Sequence, residues 1–163
     1  FSMIRNTNIM KQTIFTLFFL FSLTHVIAQS TEHEISKVKE ACFNYINTFY
    51  NADTTLAYKS VHKSVRKTGF YYNEEEQKYS QQLEMPFTDL VSLAKRWNKD
   101  GSRTDENSPK EVTIFEVSDQ TASAKVTAIW GIDYLSLMKE NGKWMIVNVL
   151  WQSPPKFAAT ESK

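Results

Sequence analysis

Two side chains carry residue types suited to acid–base chemistry. His62 is the histidine of the main body whose ordinary pKa suits proton transfer near neutral pH. Asp133 is a carboxylate at the head of an apolar segment, preceded by Trp130 and followed by Tyr134. Placed across a pocket, the two could form an orienting dyad. Each also has a plainer reading. A histidine closing a short helix serves as a C-terminal cap, and an aspartate beside Gly131 serves as a strand-end or bulge residue accepting backbone N–H groups. Tyr45 is the third candidate, either lining a pocket or sitting in the core with its hydroxyl satisfied at the rim.

Other chemistries find little footing. His33 and His62 lie far apart and no cysteine cluster exists, so no metal site is expected. Four unclustered glycines make no phosphate loop, and no cofactor is implied. Cys42, the single cysteine, falls on a buried helix stripe and reads as an inert thiol. The run Glu74-Glu75-Glu76 reads as a solvated hairpin tip.

The elements that position these residues follow from periodicity. From Glu34 to Tyr50, the residues Ile35, Val38, Cys42, Tyr45, Ile46 and Phe49 recur at spacings of three and four, the stripe of an amphipathic helix. Asp53 can N-cap a second, short helix with Leu56, Ala57 and Val61 inward, which leaves His62 at its end. Strands are expected at Lys67 to Tyr72 and Lys78 to Glu84. Pro86 opens a third helix with Phe87, Leu90, Val91, Ala94 and Trp97 inward. After a polar loop, four strands follow at about Glu111–Val117, Ala122–Trp130, Asp133–Lys139 and Trp144–Gln152. Asn141-Gly142 supplies the positive-φ residues of the last hairpin turn. Its second strand is apolar at nearly every position, so both faces need cover. Helices first and an antiparallel meander last predict an α+β fold, with helices on one face of a curved sheet.

The N-terminal segment has the pattern of an export signal. Lys11 follows Met10, Ile14 to Leu23 is an apolar run short for a membrane span, and Val26-Ile27-Ala28 suits a signal peptidase. Cleavage after Ala28 predicts a secreted or periplasmic protein with no membrane association afterwards. Residues 1–28 are then upstream sequence and signal, 29–155 one domain and 156–163 a frayed tail. Of the 19 basic side chains only Arg5 and Lys11 leave with the signal, and no acidic one, so the remainder balances the 18 acids to within one charge. That balance gives no electrostatic footprint for nucleic acid. Aromatics, at 13% of the chain, suit a lined cavity or an interface.

The segments YINTFYNAD (Tyr45 to Asp53), the next helix with His62, ASAKV (Ala122 to Val126) and DYLSLMKENGKW through Trp151 carry a resemblance. In their order and spacing the chain resembles the putative lumazine-binding family, within the nuclear transport factor 2-like (SnoaL-like, cystatin-like) superfamily. The resemblance implies a cone-shaped α+β fold, three N-terminal helices packed on a curved, mostly antiparallel sheet, with a pocket between them. It also places Tyr45 where ketosteroid-isomerase-like members carry the tyrosine that donates to an oxyanion. Those enzymes need a carboxylate base soon after the second helix, and this chain offers Arg66, Lys67 and Thr68. A lysine could replace the base only if burial lowered its pKa strongly, and nothing in the sequence argues for that.

The leading expectation is a small-molecule-binding protein, its lumazine-like or other aromatic ligand lined by Tyr45, Phe49, His62, Trp97, Trp130, Asp133 and Tyr134. Two alternatives use the same scaffold. One is an isomerase, dehydratase or hydrolase with His62 and Asp133 as acid–base pair and Tyr45 as donor. The other is a protein-binding module working through the apolar sheet face. A homodimer through the sheet is compatible with all three.

Overall fold

The computed structural model describes residues 31–156. The expected export signal, its cleavage after Ala28 and most of the expected tail lie outside the described residues. The elements that position the site belong to one compact unit from Lys37 onward.

Helix α1 occupies residues 31–50 and buries Val38, Cys42, Tyr45, Ile46 and Phe49 along one stripe. Ala52, at φ 50°, turns the chain, and Asp53 caps helix α2 (Thr54–Ser60) by accepting from the Thr55 amide at 2.9 Å and hydroxyl at 2.7 Å. Helix α3 (Phe87–Trp97) starts behind Pro86 and buries Phe87, Leu90 and Ala94. A proline at a helix start gives up only an N–H that has no intrahelical partner.

The main sheet runs β4-β1-β8-β7-β6-β5. Its strands are β1 (Val61–Phe70), β4 (Leu83–Glu84), β5 (Lys110–Val117), β6 (Thr121–Ala128), β7 (Gly131–Glu140) and β8 (Lys143–Gln152). A small hairpin, β2 (Tyr72–Asn73) with β3 (Lys78–Tyr79), stands apart. The four C-terminal strands fall where the alternation places them, and the β7–β8 turn uses Asn141 at φ 50° and Gly142 at φ 77°.

Three boundaries differ from the expectation: the strand expected at Lys67 to Tyr72 ends at Phe70, the one expected at Lys78 to Glu84 divides into β3 and β4 in separate sheets, and the end of α2 moves. Val61 and His62 do not end α2; they begin β1. The Val61 N–H still bonds to the Ala57 carbonyl, but its backbone is extended (φ −116°, ψ 126°). From there β1 joins β8 in a parallel ladder, the one parallel pairing among the described residues. Pairing with a distant strand overrides local helical propensity.

Register decides which side chains meet beneath the helices. Three ladders, β1–β8, β5–β6 and β7–β8, carry irregularities, and such bulges bend a strand and increase its twist. In β8 the bulge at Val147 lets Trp144, Ile146 and Val149 all turn inward. Two inward rows cross the sheet: Lys67–Val149–Leu135–Ala124 and Gly69–Trp151–Asp133–Val126. Tyr134 and Leu150 pair on the opposite face, and each is 47% exposed. Helices on one face of a curved, mostly antiparallel sheet make the expected α+β architecture.

Candidate functional site

A buried polar cluster lies between α1 and the inner face of the sheet. Asp133, fully buried, is held there by strand alternation: Leu135 and Leu137 share its face while Tyr134 and Ser136 point away. From α1 the Tyr45 hydroxyl donates to Asp133 Oδ2 at 2.5 Å. From the tight turn before β7 the Trp130 indole N–H donates to Oδ1 at 3.1 Å. Lys67 comes from β1. Adjacent strands lie about 4.8 Å apart, so its long arm must extend over β8 to reach a residue on β7. It does so, donating to the Tyr45 oxygen at 2.7 Å and pairing with Asp133 Oδ2 at 3.3 Å. Its ammonium also stands 5.4 Å from the Tyr45 ring centroid and 5.3 Å from that of Trp151.

The electrostatics follow from burial. Removal from water disfavours the charged form and lowers the pKa of Lys67, against which Asp133 pulls upward. Tyr45 is pushed well above its ordinary value, first by burial and then by the Asp133 charge. Tyr45 therefore keeps its proton, and Lys67 surrenders one more readily than a surface lysine does.

Above the cluster opens a cavity of about 530 Å³. Tyr45 and Lys67 form part of its floor, and Phe49, Trp97, Trp130 and Trp151 are its aromatic walls. The walls brace one another edge to face, with ring centroids 5.2 Å apart for Phe49–Trp130 and 5.5 Å for Trp97–Trp130. Behind them Tyr50 stacks on Trp97 and ties two loops together, donating to the Pro109 carbonyl and accepting from the Ile129 amide. The Trp151 indole N–H is buried and bonds to no group among the described residues. Exposed Glu74 and Lys156 pair at the rim, with Lys156 over the Tyr72 ring.

Residues 33–152 match the family described as putative lumazine-binding. The chain belongs to that family. Among solved structures, this lumazine-binding-family chain is similar to a nuclear transport factor 2-like protein of unknown function from Silicibacter pomeroyi, at 15% identity and TM-score 0.52, covering 74% of this chain and 95% of that one. A second such protein, from Methylobacillus flagellatus, is 22% identical with TM-score 0.50, covering 76% and 94%. A protein from Kribbella flavida is 9% identical with TM-score 0.51, covering 76% and 92%. At these identities the likeness speaks for the fold alone. No curated protein matches the chain.

The structure sorts the residues singled out in the sequence of this family member into three places. Tyr45, Phe49, Trp97 and Trp130 line the cavity. Asp133 lies behind that lining, bonded to Tyr45 and Trp130. His62 and Tyr134 are elsewhere. Tyr134 occupies the outward phase of β7, which a strand holding Asp133 inward cannot avoid. His62 follows Val61, the partner of Ile146 at the start of β1, whereas Asp133 shares a row with Gly69, seven residues beyond His62 and therefore roughly 20 Å away. The His62 ring instead meets the Ser64 hydroxyl at 2.6 Å and the Glu140 carboxylate at 3.6 Å. The structure thus does not form the His62–Asp133 dyad. Asp133 has Lys67 in its place, a residue the sequence reading passed over as an unlikely base. The one available signal was phase: with Val65 and Gly69 inward, Lys67 must be inward too.

Proposed function

We propose that the chain binds a small planar aromatic ligand, lumazine-like in size, in the cavity over Tyr45 and Lys67. The carrying observation is the cavity itself. Rigid aromatic walls stand around a floor with a few convergent polar groups, the usual make-up of a small-molecule site. In this reading the ring system stacks against Trp97 and Trp130, and Lys67 and the unpartnered Trp151 N–H meet acceptors at its edge. The family description, putative lumazine-binding, supports the same class of ligand. The floor is neutral as a unit, Lys67 balancing Asp133, so an uncharged, acceptor-bearing ring suits it better than an anion.

Titration of the purified protein with lumazine, followed by tryptophan fluorescence, tests this directly. Saturable quenching is expected, and Trp130→Ala should weaken it about fivefold or more, given that stacking on one aromatic side chain contributes on the order of 1–3 kcal/mol. Native mass spectrometry of protein recovered from its own source supplies the independent check. No co-purified ligand together with no response to lumazine or other bicyclic aromatics would overturn the proposal.

Two further parts stand apart from the cavity. Export rests on the Lys11 to Ala28 pattern, and N-terminal sequencing of protein from periplasm or medium should begin at Gln29. A homodimer through the outer sheet face rests on the exposed Tyr134–Leu150 pair, and sedimentation should give twice the chain mass.

A further inference from the structure

We propose that Lys67 is a covalent binding residue, whose amine condenses with the aldehyde or ketone carbonyl of a ligand seated in the cavity to give an imine. The proposal rests on the reading of the cavity as a ligand site and adds a reaction to it.

Three features of the geometry point there. Lys67 is the single buried lysine among the described residues, 6% exposed, and it forms part of the cavity floor. A lysine placed for stability alone has little reason to be buried, since an apolar pair of similar volume often serves as well as a buried ion pair. Its nitrogen is flanked by two groups able to move protons, the Tyr45 hydroxyl at 2.7 Å and Asp133 Oδ2 at 3.3 Å. The aromatic walls can hold a ring so that a carbonyl attached to it stands over the nitrogen, which is the positioning such an addition needs.

The proton inventory closes within the cluster. The Lys67 ammonium passes a proton to the Asp133 carboxylate, directly or through Tyr45, which exchanges two buried charges for two neutral groups. Burial lowers the Lys67 pKa and so eases this step. The neutral amine adds to the carbonyl carbon; the C–N bond forms and the carbonyl π electrons move to oxygen. That oxygen takes a proton from Tyr45, which recovers one from Asp133. The adduct nitrogen, now cationic, passes its second hydrogen through the same cluster to the hydroxyl, and the lone pair this frees expels the hydroxyl as water. Of the three ammonium hydrogens two depart in the water and one stays on the iminium, with the Asp133 carboxylate as its counter-ion. No oxidant or reductant is consumed.

Reductive trapping tests the step. The full chain is incubated with benzaldehyde and sodium cyanoborohydride, and intact-mass and peptide analysis locate the benzyl groups. The expected result is one benzyl group on Lys67, added faster than on any surface lysine and absent from Lys67→Arg. Tyr45→Phe keeps the lysine but removes one proton carrier, and should slow trapping about a hundredfold, the low end of what a general acid–base group contributes. It guards against a Lys67→Arg chain that fails to fold. Benzyl alcohol, which has the ring but no carbonyl, is titrated in parallel by tryptophan fluorescence. Quenching by benzyl alcohol without an adduct on Lys67 overturns the imine and leaves the binding site standing. Neither quenching nor adduct overturns both. Adducts spread over surface lysines at the Lys67 rate also overturn the proposal.

Discussion

Gly69 and Trp151 face each other across the β1–β8 ladder with no room for a side chain on residue 69. A Cβ there would stand 2.0 Å from the Trp151 carbonyl oxygen and 2.6 Å from two atoms of its indole ring. The oxygen belongs to a central strand and cannot step aside cheaply. Gly69→Ala should therefore cost about 3 kcal/mol, the upper end of typical overpacking penalties. In urea unfolding the midpoint should fall with little change in slope. Because Trp151 walls the cavity, ligand quenching should weaken in the same variant.

Lys67 and Asp133 should be strongly coupled. Asp133→Asn leaves the Lys67 ammonium buried without a counter-charge, a change that typically costs about 3–5 kcal/mol. Lys67→Met leaves the carboxylate in the converse position. The double variant removes both charges and should lose less than the sum of the singles, by about 1–3 kcal/mol in a double-mutant cycle. Strict additivity would refute an interacting pair.

Cys42 gives the alkaline limb of stability a defined sign. Burial pushes its thiol from 9.0 up to about 12. Below pH 9 folded and unfolded chains both hold the proton, and this group adds no slope. Between 9 and about 12 the folded state keeps a proton that the unfolded state has lost, so stability falls by about 1.4 kcal/mol per pH unit from this group. Tyr45, also raised, adds a loss of the same sign above pH 10. Lys67, lowered, works the other way, its stability contribution rising with pH up to 10.5. Both cancel when wild type is compared with Cys42→Ala. The variant should be less stable at pH 8, for its lost packing, and decline less steeply from pH 9 to 10.

His62→Ala should leave stability within about 0.5 kcal/mol of wild type, as a partly exposed residue on a weak ion pair implies. It should also leave the lumazine titration unchanged, whereas Asp133→Asn should shift it. A His62→Ala chain that folds normally and loses ligand response would return the histidine to the site.

How far the sequence foretold this arrangement depended on how local each signal is. The α1 stripe through Val38, Cys42 and Tyr45, the Asp53 cap and the Asn141-Gly142 turn are each decided within a few residues, and each is found where the spacing puts it. The first half of β1 is not local. Val61 to Arg66 is extended because β8 lies alongside, some eighty positions away, and short-range pattern carries no trace of that. Local pattern alone therefore puts His62 on a helix end. Lys67 was missed because a charged residue reads as solvated unless its strand phase is already known. Phase also excluded Tyr134 from any pocket holding Asp133, since successive residues of a strand face opposite ways.

The ordering of β1 against β8 also bears on when the cavity floor can come into being during synthesis and folding. Tyr45 and Asp133 are 88 positions apart, Lys67 and Asp133 are 66, and β8, which joins the β1 side of the sheet to β7, is the last of the eight described strands to be made. Contacts so distant along the chain form slowly, because loop closure must be met before they stabilise anything. A nascent chain that has reached Asp133 already contains every polar group of the floor, yet β1 has no route to β7 until β8 lies between them. Any probe that reports on Lys67 is thus a reporter of completed folding.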